Sequence, residues 1–141
     1  MRTCSAPFRE VFLDTNVLVS AFATRGLCAD LVELVLLEHD LVLGRHVVQE
    51  LDRALRSKLK LPAARARAIV EFVAGEAVQV IAQSLPAPAR ADPADARVLG
   101  EALAAHAALF VTGDAALLAL GSVGDMEIVS PRGFWERMKK T

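Results

Sequence analysis

Two short apolar runs, Val11-Phe12-Leu13 and Leu109-Phe110-Val111-Thr112, each lead straight into an aspartate, Asp14 and Asp114. Runs of β-branched, aliphatic and aromatic residues with no polar alternation suit strands buried on both faces. Asp14-Thr15-Asn16 and Gly113-Asp114 are helix-capping and turn residues, so the chain passes from strand to helix at each aspartate. Such passages call for a parallel sheet covered by helices. Ligands of these sheets bind outside the carboxyl ends of the strands. Both aspartates therefore fall on the functional edge, and they are neighbours if their strands pair.

The rest of the chain repeats this alternation. Residues 16–22 and 27–38 read as two helices separated at Gly26, and Leu41-Val42-Leu43 as a buried strand stopped by Gly44. Val47, Val48, Leu51 and Leu55 mark a helix over 45–58, and Pro62 opens another to about residue 75. Residues 78–81 are either strand or irregular. The proline-rich stretch 84–89 could link two domains, but it reads better as a surface loop, because neither half can close its own sheet. Asp92-Pro93 caps a helix to about residue 106, a short helix follows Asp114, Glu127-Ile128-Val129 is a further strand, and Pro131 begins a terminal helix. The expected fold is a single domain over 1–141, an α/β/α three-layer sandwich with a central parallel sheet of about four to five strands.

Composition narrows the function. With 16 basic and 17 acidic residues the net charge is -1, so any polyanion must meet a local basic patch. Tyr is absent and Trp occurs once, which argues against base-stacking sheets of the RRM or OB kind. Cys4 and Cys28 form neither a disulfide framework nor a paired metal or redox motif, which fits a reduced, cytoplasmic setting. No apolar stretch reaches the ~18 residues a membrane helix needs. Ala21-Phe22-Ala23 imitates a signal-peptidase site, but Asp14 interrupts the apolar segment that would precede it. A hydrophobic content of 54% exceeds what a lone domain of this size needs, and the surplus suggests a subunit interface.

Four acids stand at element ends or beside apolar stripes. Asp95 shares a helix face with Val98, Leu99 and Ala102, and Glu50 flanks Val47 and Leu51. Taken singly, Asp14, Asp92 and Asp114 could be caps, Asp95 a first-turn acid, and Glu50 a solvated boundary residue. Together, Asp14, Glu50, Asp95 and Asp114 form a like-charge set that is costly without a cation, and an all-oxygen set suits Mg²⁺ or Mn²⁺ bound to a phosphate. His39, His46 and His106 are scattered and read as surface or boundary residues, so no nucleophile has a base beside it.

At these residues the chain resembles a known family. Asp14-Thr15-Asn16-Val17-Leu18, Val47-Val48-Gln49-Glu50-Leu51, Asp92-Pro93-Ala94-Asp95 and Val111-Thr112-Gly113-Asp114 are similar to the four acidic motifs of PIN-domain ribonucleases. The ending Ile128-Val129-Ser130-Pro131-Arg132-Gly133-Phe134 is similar to the last strand and helix of the toxins of toxin–antitoxin pairs in that family. The resemblance implies a metal-dependent endoribonuclease of VapC type. Asp14, Glu50, Asp95 and Asp114 match its catalytic, metal-binding quartet, Asn16 and Thr112 match supporting polar residues, and Asp92 matches an accessory acid. Ala94 and Ala96 stand where the family often has further acids, which leaves one or two ions open. The implied partners are an RNA substrate, a small antitoxin and a second copy of the chain, with a 5′-phosphate and a 3′-hydroxyl as products.

For RNA contact the sequence offers Arg53, Arg56, Lys58, Lys60, Arg65 and Arg67, six cations with no acid among them. Any one of them could equally belong to a solvated face. A haloacid-dehalogenase phosphatase needs an aspartate where Asn16 stands, and a receiver domain needs an early acidic pair and a late strand-end lysine. Neither a P-loop nor a dinucleotide fingerprint is present. The remaining alternative is a PIN fold without activity, serving as an RNA- or protein-binding module.

Overall fold

A computed structural model describes residues 9–88 and 91–139, with Cys4 and Ala89 outside this range. In chain order the elements are β1 (Glu10–Leu13), α1 (Thr15–Ala23), α2 (Leu27–Glu38), β2 (Asp40–Gly44), α3 (Arg45–Ser57), α4 (Ala63–Glu76) and β3 (Gln79–Ile81). They continue with α5 (Pro93–Ala104), β4 (Leu109–Val111), α6 (Ala115–Leu118), β5 (Ser122–Val123), β6 (Met126–Val129) and α7 (Pro131–Lys139). The sheet order is β3-β2-β1-β4-β6-β5, and every pairing is parallel except β5 with β6.

The helix-flanked, mostly parallel sheet agrees with the expected α/β architecture, but it has six strands among the described residues, not four to five. Residues 79–81 resolve the open alternative in favour of strand. The unexpected strand is β5, two residues turned back onto β6 at Gly124, whose φ of 59° suits glycine. A two-residue strand has no periodicity to read in a sequence.

The chain leaves β1 toward β2 on one side and comes back at β4 on the other, which makes the β1/β4 junction the topological switch point. Phe12 pairs with Phe110 in register across it, and their rings stack with centroids 5.2 Å apart. Both rings are fully buried, and truncating either to alanine would cost about 3–5 kcal/mol. This packing fixes the two strand ends that carry the aspartates. His39, read as a surface or boundary residue, is instead buried, where its Nδ1 accepts the Arg9 N–H and its ring meets Phe134 edge-on. α5 packs on β2 and β3, α3 on β2, and α3 and α5 touch each other.

Candidate active site

Asp14 begins where β1 ends. Its backbone N–H donates to the Val111 carbonyl at 3.0 Å, so the last rung of the β1/β4 pairing sets its position. Its side chain is buried, with Oδ1 accepting the Thr15 N–H at 2.8 Å and Oδ2 accepting the Thr112 hydroxyl at 2.7 Å. Thr112 Oγ1 in turn accepts the Asp114 N–H at 3.0 Å, and Asn16 Oδ1 accepts the Gly113 N–H at 3.3 Å. The two strand ends are thus stitched together by the residues between the aspartates. Asp114 caps α6 through the Ala116 and Leu117 N–H groups.

A cavity of about 290 Å³ opens at this edge between α1, α3 and α5. Asp14, Asp95, Asp114 and Glu50 all line it, together with Asn16, His46, Arg53 and Lys58. Thr112 lies buried behind Asp14. Asp92 lies outside the lining and caps α5, accepting the Asp95 N–H at 3.0 Å. Arg56 pairs with Asp52 and faces a second groove between α3 and α4, whose lining Arg53 shares. Lys60, Arg65 and Arg67 are exposed and also stand away from the cavity. Of the six expected cations, only Arg53 and Lys58 reach it.

The electrostatics single out the acids. Burial raises the Asp14 carboxyl above its ordinary value, and Asp114 adds to the rise, while the Thr112 and Thr15 hydrogen bonds oppose it. Asp95 is pushed up to about 6 by burial and then by the negative charges of Asp92, Asp114 and Asp14. The all-oxygen donor set is of the kind a hard divalent cation takes, and such an ion would relieve this repulsion. As the side chains stand, no three acidic, histidine or cysteine groups among the described residues converge closely enough to hold an ion. Glu50 lines the cavity but is paired with Arg53 on its own helix.

A PIN-domain family model matches residues 10–116, which span all four acids. The chain belongs to the PIN-domain family. Among solved structures, this PIN domain is similar to a chain in the crystal structure of VapBC2 from Rickettsia felis bound to a DNA fragment from their promoter. That match has a TM-score of 0.62 at 13% identity and covers 86% of this chain and 98% of the other, a likeness of fold. No curated protein matches in sequence.

His46, read from the sequence as a surface or boundary residue, is a half-buried boundary residue and also part of the cavity wall, close enough to Asp14 to hold its carboxyl down in part. A signal is present in the chain: His46, Glu50, Arg53 and Ser57 follow one another at spacings of four, three and four, a single stripe of α3. Glu101, also unremarked in the sequence, is a buried carboxylate on α5.

Proposed function

We propose that this PIN domain is a metal-dependent endoribonuclease, the toxin of a toxin–antitoxin pair, acting as a single cytoplasmic domain over residues 1–141. The observation that carries the reading is the two-sided cavity, in which Asp14, Asp95, Asp114 and Glu50 share one space with His46, Arg53 and Lys58. Carboxylates for a cation beside side chains that attract an anion are what a phosphodiester bound through a metal requires.

In this reading Asp14, Asp95, Asp114 and Glu50 hold Mg²⁺ or Mn²⁺. The ion, when bound, supplies Lewis acidity and lowers the pKa of the attacking water. Thr112 and the Thr15 N–H keep the Asp14 carboxylate in one orientation, so little reorganisation accompanies binding. Asn16 fixes the Gly113 backbone and with it the approach of Asp114. Arg53 and Lys58 take the phosphate beside the cut, while Arg56, Lys60, Arg65 and Arg67 offer an outer track for flanking phosphates. Asp92 contributes charge next to Asp95 and serves first as a cap.

Purified protein should cleave a mixed-sequence RNA in Mg²⁺ or Mn²⁺, leave 5′-phosphates, and stop in excess EDTA. RNA binding without cleavage in either metal would favour the inactive binding module. Two partner proposals accompany the reading. Phe22, Val32, Leu36, exposed Leu37 and exposed Phe72 line an apolar groove, a surface suited to a small antitoxin, and the solved neighbour is itself named as a VapBC complex. The high apolar content supports a homodimer, which light scattering over a wide concentration range should show.

A further inference from the structure

Glu101 is 1% exposed, an unusual place for a carboxylate. Both of its oxygens accept the backbone N–H of His46 at 3.2 Å, and the Arg45 N–H also favours its charged form. These N–H groups open α3, where Gly44 has no side chain with which to cap the helix. A Cβ on Gly44 would collide with the Glu101 carboxylate, so the glycine is what admits the acid. Glu101 thus caps α3 from another element, α5, and its charge suits the positive end of the helix.

The two helices joined in this way are the ones that carry the non-strand acids of the cavity. Asp95 lies six residues before Glu101 on α5, and Glu50 lies four residues after His46 on α3. At a rise of about 1.5 Å per residue both acids lie within about 9 Å along their helices of the junction, so a shift there passes to them almost undiminished. A local serine cap would serve the start of α3 without burying a charge. What the longer connection adds is a fixed spacing between α3 and α5.

We propose that Glu101 is a positioning residue, whose grip on the start of α3 sets the distance from Glu50 and His46 to Asp95 and thereby the affinity of the cavity for its divalent ion. The inference rests on the metal-nuclease reading above.

The test is Mn²⁺ affinity by calorimetry, measured with melting temperature on full-length wild type, E101Q, E101A, E101G and the double variant E101G/G44S. In the double variant the loss of the residue-101 Cβ, which would stand 2.6 Å from a Cβ on residue 44, makes room for a serine that restores a local cap. E101A should melt lower and bind Mn²⁺ about 10-fold more weakly, the range typical of residues that orient metal ligands. E101Q keeps an acceptor oxygen at the same reach and should stay closer to wild type than E101A in both readouts. The double variant decides the matter: against E101G it should regain melting temperature while its Mn²⁺ affinity stays low. Recovery of both would show that Glu101 is only a helix cap, and wild-type affinity in E101A would also overturn the proposal. Failure of wild type to bind Mn²⁺ at all would overturn the metal-nuclease reading, and this inference with it.

Discussion

The two halves of the cavity are built differently. The sheet-edge half, Asp14, Asn16, Thr112 and Asp114, is tied together by hydrogen bonds of 2.7–3.3 Å, with Asp14 and Thr112 buried. The helical half, Glu50 and Asp95, is partly exposed, and Glu50 is paired with an exposed arginine one turn along its own helix. Strand ends are held by the sheet ladder itself, whereas helix side chains gain position only from what packs around them. The sheet edge is therefore the preorganised part of the site.

Breaking the rigid half should have the largest effect. Asp14→Asn keeps shape and capping capacity but removes the charge. RNA cleavage should fall to background, the melting temperature of chelator-treated protein should hold or rise, and the metal-induced rise in melting should shrink. Normal cleavage by this variant would reduce Asp14 to a helix cap.

Thr112→Val tests the stitching behind Asp14. It removes the hydroxyl that donates to Asp14 and accepts from Asp114, and should cost about 1–3 kcal/mol in denaturant unfolding. Cleavage should drop about 10- to 100-fold, as for other groups that orient a metal ligand. Equal activity in valine and threonine forms would mean that the ladder alone positions Asp14.

On the helical half, the R53E/K58E double variant should weaken RNA binding at low salt and flatten the salt dependence by about 1.4, or roughly 0.7 for each phosphate no longer neutralised. R56E should change far less, because Arg56 lines only the other groove, whereas Arg53 lines both and Lys58 lines the cavity. Equal weakening by both would place the RNA path across the α3/α4 face instead of the cavity.

The smallest effect is in pH. Asp95 titrates at about 6 in the fold against an ordinary 3.8, so the folded state holds its proton more tightly than the unfolded chain. Its contribution to stability is complete below about pH 3.8 and is lost as pH rises through about 6. Melting of chelator-treated protein should decline across that window, Asp95→Asn should flatten the decline, and saturating Mg²⁺ should reverse it. A profile unchanged by the substitution would move the cause to Asp14, whose carboxyl is shifted in the same direction.

The rigid half is also the legible half. A strand followed by an aspartate is a local pattern, and Val11-Phe12-Leu13-Asp14 and Val111-Thr112-Gly113-Asp114 announce both their strands and their caps in a few residues. The helical half depends on how α3 and α5 cross, which no window of sequence contains. Glu101 lies between Gly100 and Ala102 in an apolar stretch and becomes meaningful only beside Gly44, which is distant in the chain. The cationic run misleads for the same reason. Its residues are contiguous in sequence, but they lie on α3, a turn and α4, and only Arg53 and Lys58 turn toward the acids.

Asp14 and the Thr112 hydroxyl that holds it are 98 residues apart, which gives the site a history during translation. At about 5–20 residues per second, roughly 5–20 s pass between the synthesis of the first aspartate and that of its partner. Through that interval β1, a central strand, lacks its β4 neighbour, and Asp14 lacks both the hydroxyl and the Val111 carbonyl that fix it. The proposed nuclease centre cannot assemble on a growing chain until β4 has emerged, so a ribosome making this protein is not exposed to its finished active site while the first hundred or so residues are being made.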